Sequence, residues 1–374
     1  MKDVVVVGAG ICGSCIAYFL NKKGVDVTLI DKSSTPPVGG SMAAGAFISP
    51  KIGKKSPLLE LTNLAFDFSW KFYKRNFPQY FHQDGILRIP RDKSDCQKFE
   101  IYEEFNYPNY QKWEEKEFKK FNLNLDCPLG FFFPDGGDCD AIKISQALRN
   151  NIKFIQFELE SLEFNKTNWI LKGANKTLEA KRVILAMGYE SNNLNIDLDY
   201  MGIRPLWGSR GDFLIKEGGF DFSLHKDFSI SSLRDGYVKI GATHLRAKEP
   251  CKICDGFPLK ELEKKAKELT NLEIKLKKLY CGYRSGSKDF MPLLGKVVNV
   301  KKTLEKFPNL IKGAKKVPIY YEKLYIINGV GGRGYVFAPY LASILTKHLL
   351  FEEEIPKSLN PDRLFIKWVR RLKR

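Results

Sequence analysis

The chain has 374 residues, 44% of them hydrophobic, with 27 Phe and 16 Tyr; this excludes a disordered polypeptide and is length enough for two domains. No run of about 18 uninterrupted apolar residues occurs, so no membrane-spanning helix is expected. The formal net charge of +18 exceeds what solubility requires and points to a polyanionic partner or an anionic surface, the alternative being a lysine-rich composition without a partner.

Residues 3–7 form a short β-branched apolar run, the pattern of a buried parallel strand. Residues 11–23 follow as a helix closed by Gly24, and 25–30 as a second strand ending at Asp31. Residues 51–80 place Leu58, Leu61, Leu64, Ala65, Phe68 and Phe72 at helical spacing, which predicts a helix packed on the core. A strand is expected over 85–90 and a charged, solvated helix over 112–121. Asp140 is the expected N-cap of a helix over 141–150. Strands follow at 154–157, 161–165 and 182–186, the last running into Gly188. Residues 204–243 have β texture, 259–279 read as a long Lys/Glu helix, and 325–327 as a buried strand before glycines and a helix over 336–350.

These elements predict an α/β (α+β overall) protein with two domains, each discontinuous in sequence: 1–46, 136–199 and 324–374 form a Rossmann-like domain. Residues 47–135 and 200–323 form a β-sheet-rich substrate domain with a Lys-rich insertion at about 299–323. Lys2 and the apolar residues up to Leu20 have the outline of a signal peptide, but Asp3 and the glycines fit strand–turn–helix. A cytoplasmic chain with eight reduced cysteines is expected. Cys251 and Cys254 form a close pair, too few for a structural zinc site, and are read as loop thiols; no metal is expected.

Gly8-Ala9-Gly10-Ile11-Cys12-Gly13 lies between the first strand and helix, the context in which a glycine triplet binds a dinucleotide. The glycines permit the tight turn, the approach of a pyrophosphate and close helix–strand packing. The helix N-terminus adds N–H groups and partial positive charge. Asp31, about 20 residues on at the end of the second strand, is placed to accept from ribose hydroxyls, with Lys32 beside it.

Further segments resemble the D-amino acid oxidase/glycine oxidase family, in the family's order: 39–46 (Gly-Gly-Ser-Met-Ala-Ala-Gly-Ala), 136–140, 183–188, 210–212 with Asp for Gln, 282–284 with 289–295, and 329–334 with Ala338-Pro339. The likeness spans nearly the whole chain and implies FAD, contacted by Ser41, Met42, Ala44, Gly45, Ala46, Gly188 and the turn Gly331, Gly332, Arg333, Gly334, Tyr335 and Val336. No His or Cys lies within 41–46, so the flavin is expected to be non-covalent. By the same resemblance Arg284 grips a substrate carboxylate, its fork matching two oxygens. Arg333, Tyr283 and Tyr237 are further candidates for the catalytic site. His82, His225, His244 and His348 form no catalytic set and are read as surface or satisfied core residues.

The family chemistry oxidises an amine carrying a carboxylate by hydride transfer to flavin. Three substrates or roles remain open. One is a small carboxyl-bearing amine, as for a glycine or D-amino acid oxidase or dehydrogenase. A second is tRNA, because 47–51 and 331–334 are similar to the oxidase module of the bifunctional enzymes that mature the wobble uridine, and because Lys301, Lys302, Lys306, Lys312, Lys315, Lys316 and the tail Arg370, Arg371, Lys373, Arg374 offer phosphate contacts. Those enzymes carry a methyltransferase ahead of this module and this sequence does not, so a separate methyltransferase is expected. The third is a non-catalytic FAD-binding protein. The basic tail also suits a peripheral membrane contact.

Overall fold

A computed structural model describes residues 2–34, 39–121, 123–244 and 256–372. Val4 to Val7 are buried on both faces because their strand, Lys2–Val7, lies inside a sheet with parallel neighbours on each side, Val27–Asp31 and Thr177–Leu185. Lys153–Gln156 extends the sheet on one side and Tyr320–Asn328 on the other, both parallel. Leu293–Val298 adds an antiparallel edge, and the hairpin Ser161–Phe164/Trp169–Lys172 pairs with the first half of Thr177–Leu185. The order of connection reverses at Lys2–Val7, so the carboxyl end of that strand is the switch point where open α/β sheets bind ligands.

Helices Ile11–Asn21 and Gly334–Phe351 pack on one face of this sheet, with Pro57–Asn76 against them. Ser56 caps the last of these, its hydroxyl accepting from Leu59 N at 3.2 Å, ahead of Pro57. On the other face Tyr200, Leu310 and the amphipathic helix Asp362–Val369 close a second core. A second sheet of eight strands runs in the order Ile274–Gly286, Arg204–Ile215, Tyr237–Gly241, Ser229–Ile230, Ser223–His225, Ile86–Arg88, Gly130–Phe133, Gln111–Trp113. A third, small sheet joins Phe47–Ile48, Gly137–Cys139 and Phe81–His82.

Three expectations are corrected. The charged helix of 112–121 is a strand, Gln111–Trp113, and one turn, Glu115–Phe118, because Trp113 packs into an aromatic cluster, 5.3 Å from the Phe132 ring. The long helix of 259–279 ends at Leu269; Ile274 and Leu276 then alternate with exposed lysines along a strand, a period of two that the lysines disguise. Leu293–Val298 pairs with Tyr320–Asn328, and Val300 and Leu310 join the second core. Finally, the thiols are not all free. Cys96 and Cys127 form a disulfide across Cα atoms 6.3 Å apart, and Cys281 is also disulfide-bonded. Cys12, Cys15 and Cys139 are free and buried, and Cys251 and Cys254 lie outside the described residues.

Candidate active site and cofactor cavity

A cavity of about 620 Å³ opens at the switch point and continues to the edge of the second sheet, a size typical of cofactor sites. Gly8, Gly10, Ile11, Cys12, Asp31, Lys32, Ser41, Ala44, Gly45, Ala46, Gly188, Gly331, Gly332, Gly334 and Tyr335 of the sequence-based candidates line it, and so do Tyr283 and Arg284.

The first turn is built from its own backbone. Gly8 sits at φ +102, and a side chain at Gly13 would stand 1.8 Å from the Gly8 carbonyl oxygen; only glycine allows this crossing. Asp31 holds the turn, its Oδ2 accepting from Ala9 N at 2.7 Å and its Oδ1 from Ser33 N at 2.9 Å. Ser41 Oγ accepts from Ile11 N at 2.9 Å and so ties the small-residue loop to the helix start. Tyr335 OH reaches the carbonyl oxygen of Ser41 at 3.2 Å. At the rim Lys32 pairs with Glu190 at 2.8 Å. Burial pushes the Cys12 thiol up to about 12, so it stays protonated and unreactive at neutral pH.

The second sheet reaches the same loop through Ile274–Gly286. A Cβ at Gly282 would stand 2.4 Å from the Gly39 carbonyl, and one at Gly40 2.3 Å from that of Tyr283, so the two segments cross at glycines. Tyr283 packs between Tyr189 and Trp207, with centroids at 4.6 and 4.7 Å. Arg284 lies next, its Nη2 donating to Thr243 O at 3.3 Å, and burial lowers its pKa. Its other guanidinium nitrogens have no ion pair among the described residues, which leaves a charged fork in the cavity for an oxyanion.

Matching these features to known proteins decides the family. Residues 3–348 match the DAO family, FAD dependent oxidoreductase. The chain is an FAD-dependent oxidoreductase of the DAO family. It is 24% identical over 364 residues to the tRNA 5-methylaminomethyl-2-thiouridine biosynthesis bifunctional protein MnmC of Marinobacter nauticus, covering 92% of this chain and 55% of that protein. It is 25% identical to the same-named protein of Campylobacter fetus, covering 100% of this chain and 60% of that one. The oxidoreductase thus spans little more than half the length of these relatives. Glycine oxidase from Bacillus cereus shares its fold with a TM-score of 0.76 at 18% identity, over 95% of this chain and 96% of that one. Iminodiacetate oxidase from Chelativorans sp. does so with a TM-score of 0.77 at 16% identity, over 96% and 98%.

The residues present fit FAD. The glycine crossing would be filled by any Cβ, Asp31 lines the cavity where its carboxylate would take ribose hydroxyls, and Trp207 Nε1, buried in the cavity wall, has no hydrogen-bond partner in the described residues. Gly13, Met42 and Val336 stand behind the lining, and Arg333 turns away from it, its Nη1 donating to Ser49 O at 3.1 Å. Tyr237 is not brought to the cavity; its ring lies under Lys277, 4.5 Å from the ammonium. Sequence reading missed Arg210 as a brace for the 39–46 loop. Its Nη1 donates to Ala44 O at 3.0 Å while its guanidinium stacks 4.2 Å over Tyr280. It also set aside the histidines, yet His244 lines the cavity, its pKa lowered to about 4 by burial and then by Arg284. No signal in the sequence singles out His244, because its role depends on a strand end three residues from Gly241.

No helix among the described residues is long and apolar enough to cross a membrane.

Proposed function

We propose that this oxidoreductase removes the carboxymethyl group from 5-carboxymethylaminomethyl uridine at the tRNA wobble position, leaving aminomethyl uridine and releasing glyoxylate. The observation that carries this reading is Arg284. It offers a charged fork to a carboxylate in the cavity, beside the Gly331–Arg333 turn that opens helix Gly334–Phe351. The glycine-like end of the modified base supplies that carboxylate one carbon from its amine.

Arg284 orients the carboxymethyl group, and the aromatic wall of Tyr189, Tyr283 and Trp207 limits water around the C–H bond. Bound FAD would supply the acceptor for the hydride leaving that carbon. The amine loses its proton, giving an imine, and water adds across the C=N bond to yield the primary amine and glyoxylate. His244 is neutral at physiological pH, so it adds no positive charge beside the amine.

A tRNA substrate also needs phosphate contacts. Lys301, Lys302, Lys306, Lys312, Lys315 and Lys316 are exposed. Lys275, Lys277 and Lys278 are exposed on the strand that leads to Arg284. Affinity should then fall steeply with salt. The names of the MnmC relatives and the net charge of +18 support the same reading. Nucleoside mass spectrometry on tRNA from a strain lacking the gene tests it: carboxymethylaminomethyl uridine accumulates and is cleared when the enzyme is restored. An unchanged nucleoside profile, with fast turnover of glycine or a D-amino acid, selects a small carboxyl-bearing amine instead. Flavin reduced by none of these leaves a non-catalytic FAD protein.

A further inference from the structure

Where the cavity meets the small sheet, Phe47 lines the wall and sets its ring edge-on to His225, with centroids 4.7 Å apart. Behind it three cations converge. Arg88 lies level with His225 across the parallel pairing of Ile86–Arg88 and Ser223–His225, and its Nη1 stands 3.4 Å from His225 Nδ1. Arg333 follows Gly332, whose own position abuts the Arg284 side chain, and it is anchored on Ser49 O. Lys51 lies two residues further on and has its backbone N held by Asn63 at 2.8 Å.

Among the described residues none of the three cations forms an ion pair. The nearest acid to be felt is Asp95, which raises Arg88 but is itself gripped by Arg91 at 3.3 Å. Each cation destabilises the others: after burial, Arg333 and Arg88 lower Lys51, and Arg88 lowers Arg333. All three are half-buried and desolvated by surrounding protein. His225 is 5% exposed, and its Nε2 has no hydrogen-bond partner. A buried ring nitrogen without a partner and three unpaired cations are costly to gather unless an anion completes them.

We propose that Lys51, Arg88, Arg333 and His225 form a second oxyanion pocket, distinct from Arg284, which takes a second acidic group of the amine substrate. Arg284 faces Thr243 and His244 instead. The inference rests on the reading that Arg284 holds the substrate's first carboxylate. A substrate with acidic groups on both sides of its amine would reach the second site past Phe47, the wall residue in front of His225. A nucleotide phosphate and the far carboxylate of a small dicarboxylic amine share the required chemistry.

Calorimetric titration of the FAD-loaded protein with inorganic phosphate tests the pocket. Phosphate should bind, and Arg88→Gln and Arg333→Gln should each weaken it by ~10-fold or more, while Arg284→Gln changes it less than about twofold. FAD content and thermal melts accompany every variant. If Arg88→Gln fails to fold, Lys51→Gln takes its place, with Arg88→Lys expected to stay within ~3-fold of wild type. Displacement of phosphate by uridine 5′-monophosphate but not iminodiacetate identifies a nucleotide phosphate; the reverse identifies a dicarboxylic amine. No phosphate binding, binding unchanged in the pocket variants, or displacement by neither compound overturns the proposal. Phosphate binding that survives while tRNA oxidation fails retires the wobble-uridine reading and leaves the pocket standing.

Discussion

Gly13→Ala perturbs the cofactor turn at its tightest point. A methyl there would stand 1.8 Å from the Gly8 carbonyl oxygen and 3.3 Å from Ala186 Cβ. Carbon–oxygen contacts begin near 3.3 Å, so helix and turn must part by roughly 1.5 Å. Neither wall can swing aside. The turn is backbone, with Gly8 N bonded to Ile30 O at 2.8 Å and Ala9 N to Asp31 at 2.7 Å. Overpacking of this kind costs ~1–3 kcal/mol, which in a chain this long lowers Tm by roughly 1–4 °C. The larger loss falls on FAD. A shift of that size takes helix N–H groups out of the ~2.7–3.2 Å range of hydrogen bonds, and losing one or two charge-assisted bonds weakens affinity ~100-fold or more. Apoprotein titrated with FAD, with flavin fluorescence quenching as the signal, measures this directly. Gly24→Ala is the control: it has φ +78 but nothing within 4 Å, so it should cost ~1 kcal/mol of stability and no FAD affinity. Gly13→Ala protein that binds FAD as tightly as wild type would refute the reasoning.

Arg284→Ala should retain FAD yet slow anaerobic flavin reduction by ~100-fold, with only partial recovery in Arg284→Lys, whose ammonium lacks the fork; an unchanged reduction rate removes Arg284 from the substrate site. Lys239→Met should destabilise the protein by ~2–4 kcal/mol in urea melts, because Lys239 Nζ bonds the fully buried Asp138 carboxylate and Cys139 O, leaving Arg234 as the remaining partner; a loss below ~0.5 kcal/mol contradicts that account. His225 is held well below its ordinary 6.5 by burial and then by Arg88 and Arg333. The unfolded chain therefore binds a proton, as pH falls through that value, that the folded chain refuses, and stability declines below about pH 6.5. His225→Asn should flatten the decline in urea midpoint between about pH 7 and 5; equal slopes in both proteins argue against it.

What the sequence made legible follows from how local each signal is. The first strand, its glycine turn and the Asp140 cap depend on neighbours within a few residues, and they stand where the patterns place them. Tyr237 lies outside the cavity lining for the opposite reason: whether its side chain faces the cavity or Lys277 is settled by pairing with Arg204–Ile215. Strand Ile274–Gly286 was hidden because lysines on its exposed face resemble those of a solvated helix, and only the partner strand reveals the alternation. The Arg88–His225 contact joins residues 137 apart, which no spacing rule connects. The position of Arg284 was readable from its motif, but its setting against Thr243 and Gly332 was not.

We propose that the chain draws hydride from a carboxymethyl amine borne on RNA. The most direct test is anaerobic mixing of the FAD-loaded protein with tRNA bearing 5-carboxymethylaminomethyl uridine, followed by flavin absorbance and glyoxylate release. The account predicts bleaching of the flavin, about one glyoxylate per flavin reduced, and far slower bleaching by free glycine, which lacks the remote contacts. Flavin that stays oxidised with this tRNA while glycine or a D-amino acid bleaches it rapidly would contradict the account.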